Sequence, residues 1–267
     1  MHGKENVIAP ILQQGLGVTC FTPGNLDTDK FGTFTGEIER TMDAIDAARQ
    51  KCLQAMQLYN YDLCVASEGS FGPHPSMFFI PANEELILFM DARNGIEIVA
   101  RELSTATNFN SRELTTLNQL NKFASEVGFP SHALILRQPG ENRSEIKKGI
   151  VEPALLEKYF LQLVEKYGAV HAETDMRAMY NPSRMLVIAA ATKKLLHRIK
   201  STCPQCGTPG FGITEAKKGL PCSLCSLPTQ STLYYICQCN QCHYNKMEER
   251  PDNKKIEDPM YCDFCNP

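Results

Sequence analysis

"ELILFMDARNGIEIVARE", residues 85–102, sets two apolar runs on either side of Asn94-Gly95. Asn-Gly between such runs is a strong hairpin signal, because a tight type I′ turn needs positive φ at both central residues. A hairpin in a chain that elsewhere shows helical periods predicts an α/β fold whose mixed sheet is flanked by helices. Upstream, "YDLCVASEGSFGPHP" (61–75) reads as a short buried strand over 63–66 that breaks at Glu68 into a glycine and proline loop. Before it, Ile38, Met42, Ile45, Cys52, Met56 and Tyr59 recur at helical spacing, which predicts a helix over 36–59 with Thr35 as its cap.

Downstream, Leu114, Leu117, Leu120, Phe123 and Val127 predict a helix over 111–127, and "HALILR" (132–137) a strand. Pro153 to Tyr167 reads as a helix between Glu152 and a Gly168 stop, and "GAVHAETD" (168–175) returns to the sheet. Met185, Ile188, Thr192, Leu195 and Ile199 mark one face of a further helix.

Near residue 200 the composition shifts. Of twelve cysteines, nine lie between 203 and 265, which divides the chain into an α/β domain over 1–200 and a cysteine-rich domain over 201–267. Cys203 and Cys206, Cys222 and Cys225, Cys239 and Cys242, and Cys262 and Cys265 form four Cys-x-x-Cys pairs. Intervals of 15 residues between the first two pairs and 19 between the last two match zinc-ribbon spacing. Two residues between thiolates let both sulfurs of one turn face the same ion, so eight cysteines predict two closed, structural zinc sites. Sequential pairing and interleaved pairing satisfy the spacing equally. A disulfide framework fits less well, since the start lacks a signal-peptide pattern and all four pairs share zinc spacing. Cys237 and His243 are spare ligands. So small a segment is expected to need its metal to fold.

The formal net charge of -3 offers no general attraction to nucleic acid or anionic lipid. In the tail six lysines and arginines face seven carboxylates, so nucleic acid is not the expected partner. No apolar run approaches membrane-spanning length, and the expectation is a cytoplasmic protein without membrane contact.

"HAETDMRAMYNPSRM" (171–185) concentrates the opposed charge. On a strand, Glu173 and Asp175 share one face and invite a cation. Asn181 and Pro182 start a helix, which puts Ser183 and Arg184 beside unpaired backbone N–H groups that favour anions, with Arg177 in the connection. Acids for a hard metal and arginines for phosphate suit a magnesium-bound polyphosphate. The alternative is a local ion-pair clamp of Glu173 and Asp175 with Arg177 and Arg184. Further candidates are Glu68 and Ser70 in "EGSFGPHP", Asp27 and Asp29 in "DTDKFGTFTGE", and His2 and Lys4 in "MHGKE". His132 and His171, lying in strands, are read as packing residues.

Two resemblances follow from these motifs. Through "HGKE", "DTDKFGTFTGE", "SEGSFGPHP", "ETDMRAMYNPSRM", "GLPC" and "CNP" the chain resembles, over nearly its full length, a bacterial family known only as a domain of unknown function. Such sequences usually carry a strand before "HGKE", so either the start is truncated or that strand is dispensable. More remotely, residues 1–200 resemble the inosine/xanthosine triphosphate pyrophosphatases. "MHGKENVIAPIL" matches the first helix with His2 and Lys4, "VASEGSFG" the acidic-glycine loop with Glu68, and "NPSRM" the late Ser-His-Arg motif through Ser183 and Arg184, without its histidine.

The expected function is that of a magnesium-dependent nucleotide-binding protein that hydrolyses a nucleoside triphosphate or related phosphoanhydride. Glu68, Glu173 and Asp175 would hold the metal, and Lys4, Arg177 and Arg184 would neutralise the phosphates. The competing expectation is a non-enzymatic zinc-ribbon adaptor that binds a protein, or nucleic acid, through its tail.

Overall fold

The computed structural model describes residues 3–24, 42–140 and 144–267. It divides into two compact units, 1–196 and 197–267. The first unit opens with helices α1 (Glu5–Leu16) and α2 (Ala44–Tyr59). A three-stranded sheet of β1 (Leu63–His74), β2 (Met77–Asp91) and β3 (Ile96–Ser104) follows, in that spatial order. The second sheet contains β4 (Ser111–Leu114), β5 (Leu134–Arg137), β6 (Ile146–Ile150) and β7 (Val170–Thr174), in the order β4-β7-β5-β6. Helices α3 (Leu117–Glu126) and α4 (Pro153–Tyr167) pack on it, and α5 (Pro182–Lys200) follows β7 in the chain. The second unit holds β8 (Gly212–Lys218), β9 (Thr232–Gln238) and β10 (Asn245–Glu249), with β9 central.

The α/β class holds, with helices flanking the sheets, but every ladder between these strands is antiparallel. The hairpin joining β2 to β3 is present, but its turn spans four residues, 92–95, with Gly95 at φ 64° and Asn94 outside the positive-φ region, so it is not the two-residue type I′ turn. "SEGSFGPH", expected as a loop, instead continues β1 opposite β2 as far as His74. β1 is an edge strand, where Pro73 removes no ladder bond from a second neighbour. Opposite it, Pro81 of β2 lies beyond the reach of β3, whose pairing begins at Asn83.

Two helices start later than their apolar spacing suggested. α2 begins at Ala44, capped by Asp43, whose carboxylate accepts from Ile45 N at 2.9 Å. Thr35 and the earlier part of that expected helix fall outside the described residues. α3 begins after Thr116, whose hydroxyl accepts from Gln119 N while the Gln119 side chain accepts from Thr116 N. This capping box ends the preceding strand, so 111–114 pairs with β7 instead of extending the helix.

One face of the first sheet, through Leu86, Leu88 and Met90, packs on Ala48, Cys52 and Met56 of α2. The second sheet buries Leu134, Leu136, Val170 and Ala172 against Leu120 and Phe123 of α3 and Leu156, Phe160 and Leu163 of α4. Among the described residues no helix is long and apolar enough to cross a membrane.

Candidate functional site

In the first unit, charge collects where β1 lies against β2. Their register sets Gly69 opposite Glu85 and Glu68 opposite Leu86, so the two carboxylates leave opposite faces of the ladder. Glu85 is fully buried in the strand that also supplies the apolar core, and its carboxylate accepts from Arg184 Nε at 2.6 Å. Arg184 comes from the first turn of α5, which Asn181 caps by accepting from Arg184 N at 3.0 Å. Its guanidinium also donates to the Met176 carbonyl and lies 5.1 Å from the Phe71 ring centroid. Glycine at 69 makes room for this close approach: a Cβ there would stand 2.5 Å from Arg184 Nη2 and 2.7 Å from Glu85 Oε1, so the ion pair would have to shift.

Lys4, just before α1, brings its Nζ to 3.5 Å from the second Glu85 oxygen. Burial pushes the Lys4 amine down to about 8, against the pull of the Glu85 carboxylate, and the neighbouring Arg184 adds to the depression. Lys51 of α2 pairs with Glu68 at 2.5 Å. Lys4 and Lys51 keep 13% and 17% of their side chains exposed, whereas Arg184 keeps 1%. Asn83, two residues before Glu85 and on the same strand face, has a buried Oδ1 with no hydrogen-bond partner among the described residues.

Two ion-paired groups thus stand on opposite faces of the ladder, Lys4 and Arg184 on Glu85 and Lys51 on Glu68, and Lys4 links them, since the charges of Glu68 and Lys51 also reach its amine. Lys51 and Glu85 are not among the residues expected from sequence. Glu173 and Asp175 pair with other cations. Glu173 meets Arg137 at 3.7 Å and His171 at 3.6 Å, so His171 belongs to a charged set and is more than a packing residue. Asp175 is clamped locally by Arg177, whose Nε and Nη2 donate at 3.0 and 2.6 Å, and it also accepts from Arg177 N and Gly149 N. Arg177 stacks 4.6 Å from the Tyr180 ring centroid. The expected magnesium set of Glu68, Glu173 and Asp175 is thus split among three cation partners. Among the described residues, the groups with metal-holding geometry consist of cysteine alone.

Ser70 is exposed on β1, opposite Glu84. Asn181, besides its capping role, donates to Asn108 Oδ1 at 2.9 Å. Ser183 meets a residue that had been read as packing: its Oγ lies 2.8 Å from His132 Nε2, which also accepts from Ser183 N at 3.4 Å. The other His132 nitrogen lies 3.0 Å from Ser131 Oγ. His2, Asp27 and Asp29 lie outside the described residues.

In the second unit the eight paired cysteines gather into two sets. Cys203, Cys206, Cys239 and Cys242 form one, and Cys222, Cys225, Cys262 and Cys265 the other, with the sulfurs of each set within 4.8 Å of one another. Pairing is interleaved, first pair with third and second with fourth. Sulfur separations of 3.7 and 3.6 Å in the first set and 3.9 and 3.6 Å in the second match the edge of about 3.8 Å that a tetrahedron with Zn–S of about 2.3 Å requires. Each set could hold one zinc ion.

The same backbone turn builds all four pairs. The carbonyls of Cys203, Cys222, Cys239 and Cys262 accept from the amides of Gly207, Ser226, His243 and Asn266 at 2.8 to 3.0 Å. Gly207, Ser226 and His243 take positive φ to make this turn, so the expected spare ligand His243 serves the backbone instead. Cys237 is buried beside Phe211, outside both sulfur sets. Hydrogen bonds from the Thr208 hydroxyl and amide hold the Cys206 thiol down to about 6, and the amides of Cys225 and Leu224 hold Cys222 down to about 7. Cys265 is pushed up to about 12, first by its hydrogen bond with Cys225. A divalent cation at the centre removes that conflict among neighbouring thiolates.

No curated protein and no solved structure matches the chain, and neither comparison supports the likeness to inosine/xanthosine triphosphate pyrophosphatases. A family model does match, over residues 51–267, which contain Lys51, Glu68, Glu85, Arg184 and all eight paired cysteines. The chain belongs to this family, described as domain of unknown function DUF6671.

Proposed function

We propose that the first unit binds a phosphorylated small molecule of the nucleotide class through Lys4 and Lys51, and that two structural zinc ions hold the second unit. The observation that carries the first half is the meeting of Lys4 and Arg184 on the Glu85 carboxylate beside Gly69. Among the described residues, Lys51 and Glu68 add a second ion pair whose charges reach Lys4. An anion reaching the exposed ends of Lys4 and Lys51 would be held by two ammonium groups in partly desolvated surroundings, where charge-assisted hydrogen bonds are strong. Arg184 and Glu85 would then position Lys4 instead of touching the ligand. The unpaired Asn83 Oδ1 is an acceptor suited to a sugar hydroxyl or a base amine. Because the acids needed to bring magnesium to a phosphoanhydride are not gathered among the described residues, the proposal is one of binding rather than hydrolysis.

The test is calorimetric titration of the zinc-loaded full chain with nucleoside mono-, di- and triphosphates and inorganic tripolyphosphate. Binding weakened about tenfold or more by Lys4→Met and by Lys51→Met is the expected result. Absence of heat and of any thermal shift with every member of the panel would refute it. Two zinc ions per chain by elemental analysis is the expectation for the second unit, and a value near zero in chain purified without chelator would remove that half.

A further inference from the structure

The two cysteine sets share one metal geometry and differ in what they show to solvent. Between the cysteines of the first set stand Pro204-Gln205 and Asn240-Gln241, which are polar or small. Between those of the second stand Ser223-Leu224 and Asp263-Phe264, with Leu224 73% and Phe264 65% exposed. Closing a tetrathiolate site requires no bulky apolar residue at either tip. Leu227, Met260 and Tyr261 are also exposed and flank the same cysteines. The segments are tied together: Cys222 bridges to Glu257, Ser223 N donates to the Glu257 carbonyl, and Gln230 donates to Asp263. A cluster of large apolar side chains on a metal-braced turn is the kind of rigid anchor that interfaces bury.

The charge around it selects the partner. Four thiolates on one zinc ion carry a net charge of about -2. Asp258 and Asp263 are exposed beside them. The nearby Lys254 and Lys255 are paired with Glu257 and Glu249, while Lys218, hydrogen-bonded to the neutral Gln230, keeps its charge and offsets one of the carboxylates, which leaves the surroundings net negative. A polyanion would be repelled, and an apolar segment carrying lysine or arginine would be attracted.

We infer that the second cysteine set, with Leu224 and Phe264 at its tips, is a docking site for a basic, apolar peptide segment of a partner protein. The inference rests on the zinc reading of this unit, and metal content is measured alongside so that failure of either can be told apart.

The probes are a fluorescent amphipathic peptide of leucine and lysine, its leucine and glutamate counterpart, and phosphatidylserine vesicles, each titrated into the zinc-loaded full chain. The lysine peptide is expected to bind at least about tenfold more tightly than the glutamate peptide, and to lose about tenfold or more with Leu224→Ser plus Phe264→Ser but not with Gln205→Ala plus Gln241→Ala. Should the serine variant lose zinc, Asp258→Asn plus Asp263→Asn decides, through weaker and less salt-dependent binding. Binding unchanged by the serine variant at full zinc content overturns the inference. So does equal affinity for both peptides, no binding, or a preference for the vesicles.

Discussion

Arg184 and Glu85, ninety-nine residues apart in the chain, meet at 2.6 Å with almost no solvent contact. A charge removed from water this completely depends on its partner. Glu85→Gln should therefore cost about 3–5 kcal/mol, read as a lower urea midpoint at unchanged zinc content. Gly69→Ala should also destabilise, by about 1–3 kcal/mol, because its methyl group would displace the same ion pair. A Gly69→Ala protein as stable as the parent would show that the pair can move aside.

Lys4 gives stability a pH dependence of definite sign. Its folded value of about 8 lies below the ordinary 10.5, so between these pH values the unfolded chain holds a proton that the folded chain has released. Stability contributed by this group therefore rises as pH increases from about 8 to 10.5, by up to about 3 kcal/mol before discounting for the partly exposed amine. Comparing denaturation midpoints of the parent and Lys4→Met over that range isolates the contribution. A parallel pH dependence in both proteins would contradict the assignment. Bound phosphate should raise the Lys4 value and so take up protons at pH near 8, seen as a buffer-dependent heat of binding.

The interleaved sulfur sets have a direct spectroscopic consequence. With cadmium-113 in place of zinc, the β-protons of Cys206 and Cys239 should couple to one metal resonance, and those of Cys225 and Cys262 to the other. Coupling of Cys206 and Cys222 to a shared metal would instead establish sequential pairing. Cys222→Ser should reduce tightly held zinc from two ions to one and spare the Cys203 set, and strong chelators should unfold the second unit.

In the second core, Phe123 is completely buried between α3 and its sheet. Phe123→Ala should lower stability by about 3–5 kcal/mol, measured by denaturant unfolding, with ligand affinity at Lys4 unchanged in the folded fraction.

Local signals were legible where a residue type is tied to one backbone state. Glu152, Pro153 and Gly168 bracket α4 at its observed limits, Gly168 taking φ 77°, and Gly95 marks the turn between β2 and β3 for the same reason. Long-range partners left no such trace. Glu85 sits at the head of an apolar strand and reads as its solvated end, until Arg184 arrives from another element. Lys51 is one polar position among several on α2. His132 lies in a strand-like run, and only the fold brings it to Ser183. Glu173 and Asp175 share a strand period but find different cations, because the turn after β7 supplies Arg177 to one and β5 supplies Arg137 to the other. Cysteine spacing revealed the ligands but, being alike for both arrangements, could not choose between them.

Interleaving also bears on how the chain can be made. Synthesis delivers Cys203, Cys206, Cys222 and Cys225 first, a complete tetrathiolate set of the wrong membership. The native partner of the opening pair emerges only with Cys239 and Cys242. An ion captured early must then change hands, passing from one pair to another by thiolate exchange as the later turns appear. Assembly of this unit is thus a question of timing as much as affinity, and metal supply during translation should govern its yield.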